Sequence, residues 1–164
     1  MTYNFKILLR KFLTWSPLKV FFVLQSALLG MGALYIISFN IFLPDSNSVA
    51  SSLTNKEKTL LISLLVAPLL ETFVFQTFLL QLWRWAGGVK FIYRSLFVSF
   101  FFSIFHNYNT LHIILSFMAC NIFNFSYHIA QKRKWMPYIY TTLLHSLANA
   151  TTTIPYIFIV NNVK

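Results

Sequence analysis

The chain has 164 residues, of which 57% are hydrophobic and only 10% charged, and it contains nineteen Phe and eight Tyr. That balance excludes a soluble globular domain, which at this length would leave most of the apolar surface in water, and implies one membrane-embedded domain, 1–164. The formal net charge is +10, which in a soluble chain would suggest nucleic acid; here the placement of the basic residues directs it to lipid headgroups instead.

Lys6, Arg10, Lys11 and Lys19 lead into an apolar run at 20–43. The run exceeds the roughly 7–15 residues of a signal-peptide core and is long enough to cross a bilayer. It is therefore read as a retained helix, despite the cleavage-like SVA at 48–50. Gly30 and Gly32 within it are two apart, which is not the GxxxG spacing of a dimer face; oligomeric state stays open. Residues 44–58 (PDSNSVASSLTNKEK) form a polar loop of helix breakers and cappers. Further apolar segments follow at 59–83, 94–110, 111–130 and 135–160, with RWAGGVKFIYR at 84–94 and QKRK at 131–134. The expected fold is all-α: a polytopic membrane helix bundle with about five transmembrane helices. Cys120, the single cysteine, lies in an apolar segment and excludes an intrachain disulfide.

With a cytoplasmic N-terminus, five spans put ten basic residues on the cytoplasmic side (Lys6, Arg10, Lys11, Lys19, Arg84, Lys90, Arg94, Lys132, Arg133, Lys134) and three on the other (Lys56, Lys58, Lys164). This is the bias of the positive-inside rule. The implied partners are anionic lipid headgroups, not nucleic acid. Richness in Phe, Ile, Asn, Lys and Tyr suits an AT-rich bacterial genome, and so a bacterial plasma membrane.

Three spans carry an ionisable residue in their interior: Glu71, His106 and His145. Such residues are expensive in lipid and are functional hypotheses by default. Glu71 lies 13 residues from Arg84, His106 lies 12 from Arg94, and His145 lies 11 from Lys134. At about 1.5 Å per residue, all three fall in one layer roughly 17–20 Å from a basic anchor. Tyr138, Thr141, Thr142, His145, Asn149 and Thr152 recur at spacings of three and four in the last span, and Ser95, Ser99, Ser103 and His106 do so in the third. HNYNT at 106–110 is polar at membrane depth, so it must line a cavity or be covered by protein. Pro68 removes a backbone donor and frees the carbonyl of Leu64. A lone membrane histidine is more often a helix–helix hydrogen bonder than a catalyst, and a Ser/Thr stripe more often packing; His112 and His128 are read as structural. Glu71 has no Lys or Arg at its depth to neutralise it.

Glu71-Thr72-x-x-x-Gln76, Phe102-x-x-x-His106 and His145-x-x-x-Asn149 resemble, in order, the three motifs of the CAAX-protease and bacteriocin-processing (CPBP, or Abi) intramembrane endopeptidases. The resemblance covers about residues 59–153. Thr72 and Gln76 depart from the family pattern, replacing a Glu and an Arg. The two changes remove opposite charges, so neither leaves an orphan charge in lipid, and a neutral Thr72–Gln76 hydrogen bond is the expected substitute.

The resemblance implies hydrolysis of a lipidated or hydrophobic peptide inside the membrane, without a cofactor. Glu71 would be general base on a water held with His106, His145 and Asn149 would donate to the oxyanion, and Phe102 would pack on the His106 ring. Two other readings use the same residues. Glu71, His106 and His145 are also a donor set for catalytic zinc, although HExxH is absent. The charge-free first motif also suits a non-catalytic scaffold, immunity protein or small proton-relaying carrier.

Overall fold

In the computed structural model, residues 3–42, 56–87, 89–107 and 109–162 are described, and they fold into six helices. These are α1 (Tyr3–Thr14), α2 (Pro17–Phe42), α3 (residues 56–85), α4 (Phe91–Phe105), α5 (Thr110–Arg133) and α6 (Pro137–Asn162). The last five coincide with the five apolar segments. Three of them are long and apolar enough to cross a membrane: Pro17–Ser38, Ile62–Trp85 and Thr110–Arg133. α4 is apolar but shorter, at 15 residues, or about 22 Å. α6 has 26 residues and carries the polar stripe. The chain is an integral membrane helix bundle. The loop expected at 44–58 falls mostly outside the described residues.

No element is expected before residue 20, and α1 lies there. Its residues alternate with helical period: Leu9, Phe12 and Leu13 turn to the core while Lys6, Arg10 and Lys11 stay exposed. This is the pattern of a helix lying along an interface. Phe12 packs edge-on against Phe125 at 5.2 Å, and Arg133 donates to the carbonyl of Leu13.

α5 lies between two apolar cores. One joins Phe12, Val20, Leu24 and Leu28 to Phe123, Ile129 and Leu144. The other joins Phe75 and Leu80 to Val98, Phe102, Cys120 and Tyr127. Gly32 lets α2 approach α6 closely: a Cβ there would lie 3.2 Å from both Thr151 Oγ1 and Thr152 Cγ2. α5 ends at Lys134, whose positive φ of 58° turns the chain and returns its N–H to Ala130 and Gln131.

The serine stripe of α4 packs the bundle. Ser95 Oγ donates to Asn121 Oδ1 at 2.9 Å, and Asn124 Nδ2 reaches the Ser95 carbonyl and Ser99 Oγ, each at 3.1 Å. Arg94 differs from its expected place in a cytoplasmic link. It is buried within α4 and donates to the Leu80 carbonyl at 3.3 Å, because α4 starts three residues before it.

α3 is one continuous helix with two π segments, Ile62–Val66 and Thr72–Leu79. In them the N–H bonds five residues back instead of four: Ala67 N–H reaches the Ile62 carbonyl, and Leu80 N–H reaches that of Phe75. π segments are rare and concentrate at functional sites. The stretch between them, Ala67–Glu71, ends at Glu71.

Candidate active site

Three helices bring the three ionisable residues together. Glu71 sits between the π segments of α3. His106 follows the last residue of α4, where the helix gives way to a turn at φ −101°. His145 lies about a third of the way along α6. Glu71 Oε2 is 3.6 Å from His106 Nε2 and 3.4 Å from His145 Nε2. The Glu71 and His106 side chains are 23% and 22% exposed, whereas His145 is 3% exposed. Two members of the cluster are therefore reachable, and the third is a buried wall.

The rings are held by their surroundings. Phe102, one turn before His106, stacks on it at 4.2 Å, and Phe123 stacks on His145 at 4.3 Å. His106 Nδ1 lies 2.8 Å from the Phe102 carbonyl. A carbonyl only accepts, so Nδ1 carries the hydrogen and a neutral His106 turns a bare Nε2 to Glu71. His145 Nδ1 is buried and has no hydrogen-bond partner among the described residues. An orphaned lone pair is better tolerated than an orphaned buried N–H, which places the His145 hydrogen on Nε2, toward Glu71. The carboxylate thus faces one imidazole acceptor and one imidazole donor.

The other expected residues lie as follows. Asn149 is one turn beyond His145, and its Nδ2 donates to the Ser63 carbonyl at 2.9 Å. Thr72 and Gln76 are fully buried, but the bond expected between them is not made. Gln76 Nε2 donates to Asn124 Oδ1 at 3.1 Å and approaches Cys120 Sγ at 3.5 Å, and among the described residues Thr72 Oγ1 has no partner. Gln76 turns inward to α5, where an amide offers a stronger acceptor than a hydroxyl on its own helix. In the π register it is the Ser63 carbonyl that lacks an in-helix donor, because Ala67 N–H goes to Ile62 and residue 68 is Pro.

His112 is nearer the site than its structural reading allowed. Its ring stacks with His106 at 6.0 Å, with Tyr35 edge-on at 5.3 Å. Asn109 caps α5 by accepting from His112 N–H at 2.8 Å, and this tight turn folds residue 112 back over residue 106. The signal was the short polar turn between two histidines. His128 stacks on Phe91 at 4.2 Å, away from the cluster. Among the described residues, no group of three or more His, Cys, Asp or Glu side chains is arranged to hold a metal ion.

Residues 57–151 match the family model of the Rce1-like type II CAAX prenyl endopeptidases, and this match covers more than half of the chain and includes Glu71, His106, His145 and Asn149. No curated protein and no solved structure matches the chain.

Proposed function

Because the chain belongs to the Rce1-like family of type II CAAX prenyl endopeptidases, we propose that it is an intramembrane endopeptidase that cleaves a lipidated or hydrophobic peptide with a water activated by Glu71. The observation that carries this reading is the convergence of Glu71 Oε2 with His106 Nε2 and His145 Nε2, at 3.6 and 3.4 Å, from three different helices. Both separations exceed a direct hydrogen bond, and a small outward movement of the Glu71 or His106 side chain, the two exposed members of the cluster, would admit a water between them.

Such a water donates one hydrogen to Glu71 Oε2 and the other to the bare Nε2 of His106, which leaves a lone pair free for the scissile carbonyl carbon. As the C–O bond forms, Glu71 takes the proton. The oxyanion accepts from His145 Nε2–H, a contact typically worth about 3–4 kcal/mol. Collapse breaks the C–N bond, Glu71 passes its proton to the leaving nitrogen, the remaining proton of the former water follows to the amine, and a carboxylate and an ammonium depart. The apolar surround of Phe75, Phe102 and Phe123 strengthens each contact by keeping solvent out.

A non-catalytic protein of the same fold is the second reading, supported by the neutral Gln76–Asn124 pair where the family carries charge. Purified protein in micelles, given a prenylated CAAX peptide, decides between them. Glu71→Gln and His106→Ala should each lower kcat by about 100-fold or more. A folded protein that cleaves no such peptide favours the scaffold. Stoichiometric zinc, together with loss of cleavage on chelation, reassigns Glu71, His106 and His145 as metal ligands.

A further inference from the structure

Three side chains of α6 reach α3 around Glu71. Tyr138 donates its hydroxyl to the Leu69 carbonyl at 3.1 Å, His145 faces Glu71, and Asn149 donates to the Ser63 carbonyl at 2.9 Å. The Asn149 bond has a specific cause. In an α register the Ser63 carbonyl would take the N–H of Ala67. That N–H is committed to Ile62, five residues back. In the π register the Ser63 carbonyl would take the N–H of residue 68, and residue 68 is Pro68, which has none. Ser63 therefore loses its in-helix donor only when the helix is π at this turn. At membrane depth an unpaired carbonyl is costly, and Asn149 supplies the missing donor.

We propose that Asn149 is a positioning residue: by satisfying the Ser63 carbonyl it locks α3 in the π register and so fixes the direction in which Glu71 points. Relaxing this turn to the α register would remove one residue's offset from the ladder. Glu71, eight residues on from Ser63, would rotate by up to about 100°. His145 and Asn149, one turn apart on α6, thus hold Glu71 from two sides, one at the carboxylate and one through the backbone. The inference rests on Glu71 being the catalytic base, but the register lock itself is testable without cleavage.

The test compares full-length wild type, Pro68→Ala, Asn149→Ala and the double variant in micelles, by thermal unfolding and by cleavage of a prenylated peptide. Asn149→Ala alone should lower the unfolding midpoint by about 2–4 °C or more. In the Pro68→Ala background the same substitution should cost at most half as much, because residue 68 now provides a donor inside the helix. Cleavage by Asn149→Ala should fall in kcat by about 100-fold, the scale of a misplaced catalytic group, with KM within twofold of wild type. It should stay low in the double variant, whose helix is whole but free to adopt the α register. Equal midpoint losses in both backgrounds would overturn the proposal. So would a kcat loss in Asn149→Ala with no change in midpoint, which would assign Asn149 to the oxyanion. If wild type cleaves nothing, the endopeptidase reading fails, and the coupling of the midpoints alone still decides the register lock.

Discussion

Gln76 is fully buried and donates to Asn124, whose own amide spans to Ser95 and Ser99 on α4. The network is neutral throughout and ties the helix of Glu71 to the helix that ends at His106. Gln76→Ala would leave Asn124 Oδ1 without its donor, at a cost of about 1–3 kcal/mol. Gln76→Arg places an uncompensated charge in the same position and should be worse, by about 3–5 kcal/mol. Adding Thr72→Glu to Gln76→Arg supplies an opposite charge on the next turn and should recover most of that loss. Thermal unfolding of the three variants in micelles checks the order. Each departure from the family motif is visible in the sequence as a residue type, but the Asn124 partner of Gln76 is not, because it lies 48 positions away.

Helices α1 and α2 lie outside the three motifs yet seal the bundle. Phe12 is the anchor of α1, buried among Val20, Leu24 and Phe123. Phe12→Ala should destabilise by about 3–5 kcal/mol and make the first sixteen residues a fast target for limited proteolysis. Gly32 marks the tight crossing of α2 on α6. Gly32→Leu must displace Thr151 and Thr152, which lie one helical turn beyond Asn149, and overpacking of this kind costs about 1–3 kcal/mol. A lowered unfolding midpoint is the expected result, whereas substitution at Gly30, with nothing within 4 Å of its Cβ position, should leave the midpoint unchanged. α1 is hard to see in the sequence because its basic residues dominate the stretch, and its only helical signal is the narrow apolar stripe of Leu9, Phe12 and Leu13 between them.

At the scale of the whole molecule, the ends of several helices meet on one side. Arg133 bonds the Leu13 carbonyl, Lys19 lies 4.6 Å over Trp15, and Gln131 donates to Gln81 at 3.2 Å. α1, the end of α3 and the end of α5 therefore share one rim, and the positive-inside rule predicts that this rim faces the cytoplasm. In a Cys120→Ser background, single cysteines at Arg84 and Lys132 should react with an impermeant thiol reagent only from the cytoplasmic side. A cysteine at Ser51 should react only from the opposite side. Labelling of positions 84 and 132 from opposite faces would sink the five-span topology.

Composition and residue counting determined the membrane class, the helical segments and the common depth of Glu71, His106 and His145. Each of these depends only on hydropathy and on the fixed rise of a helix, which a linear sequence carries. Tertiary structure decided the rest. Neither the π register of α3, the capture of Ser63 by Asn149, the pairing of Gln76 with Asn124 nor the fold of His112 over His106 is set by local propensity. Each is a backbone or side-chain group finding its hydrogen-bond or ring partner on another helix, in lipid where water offers no substitute.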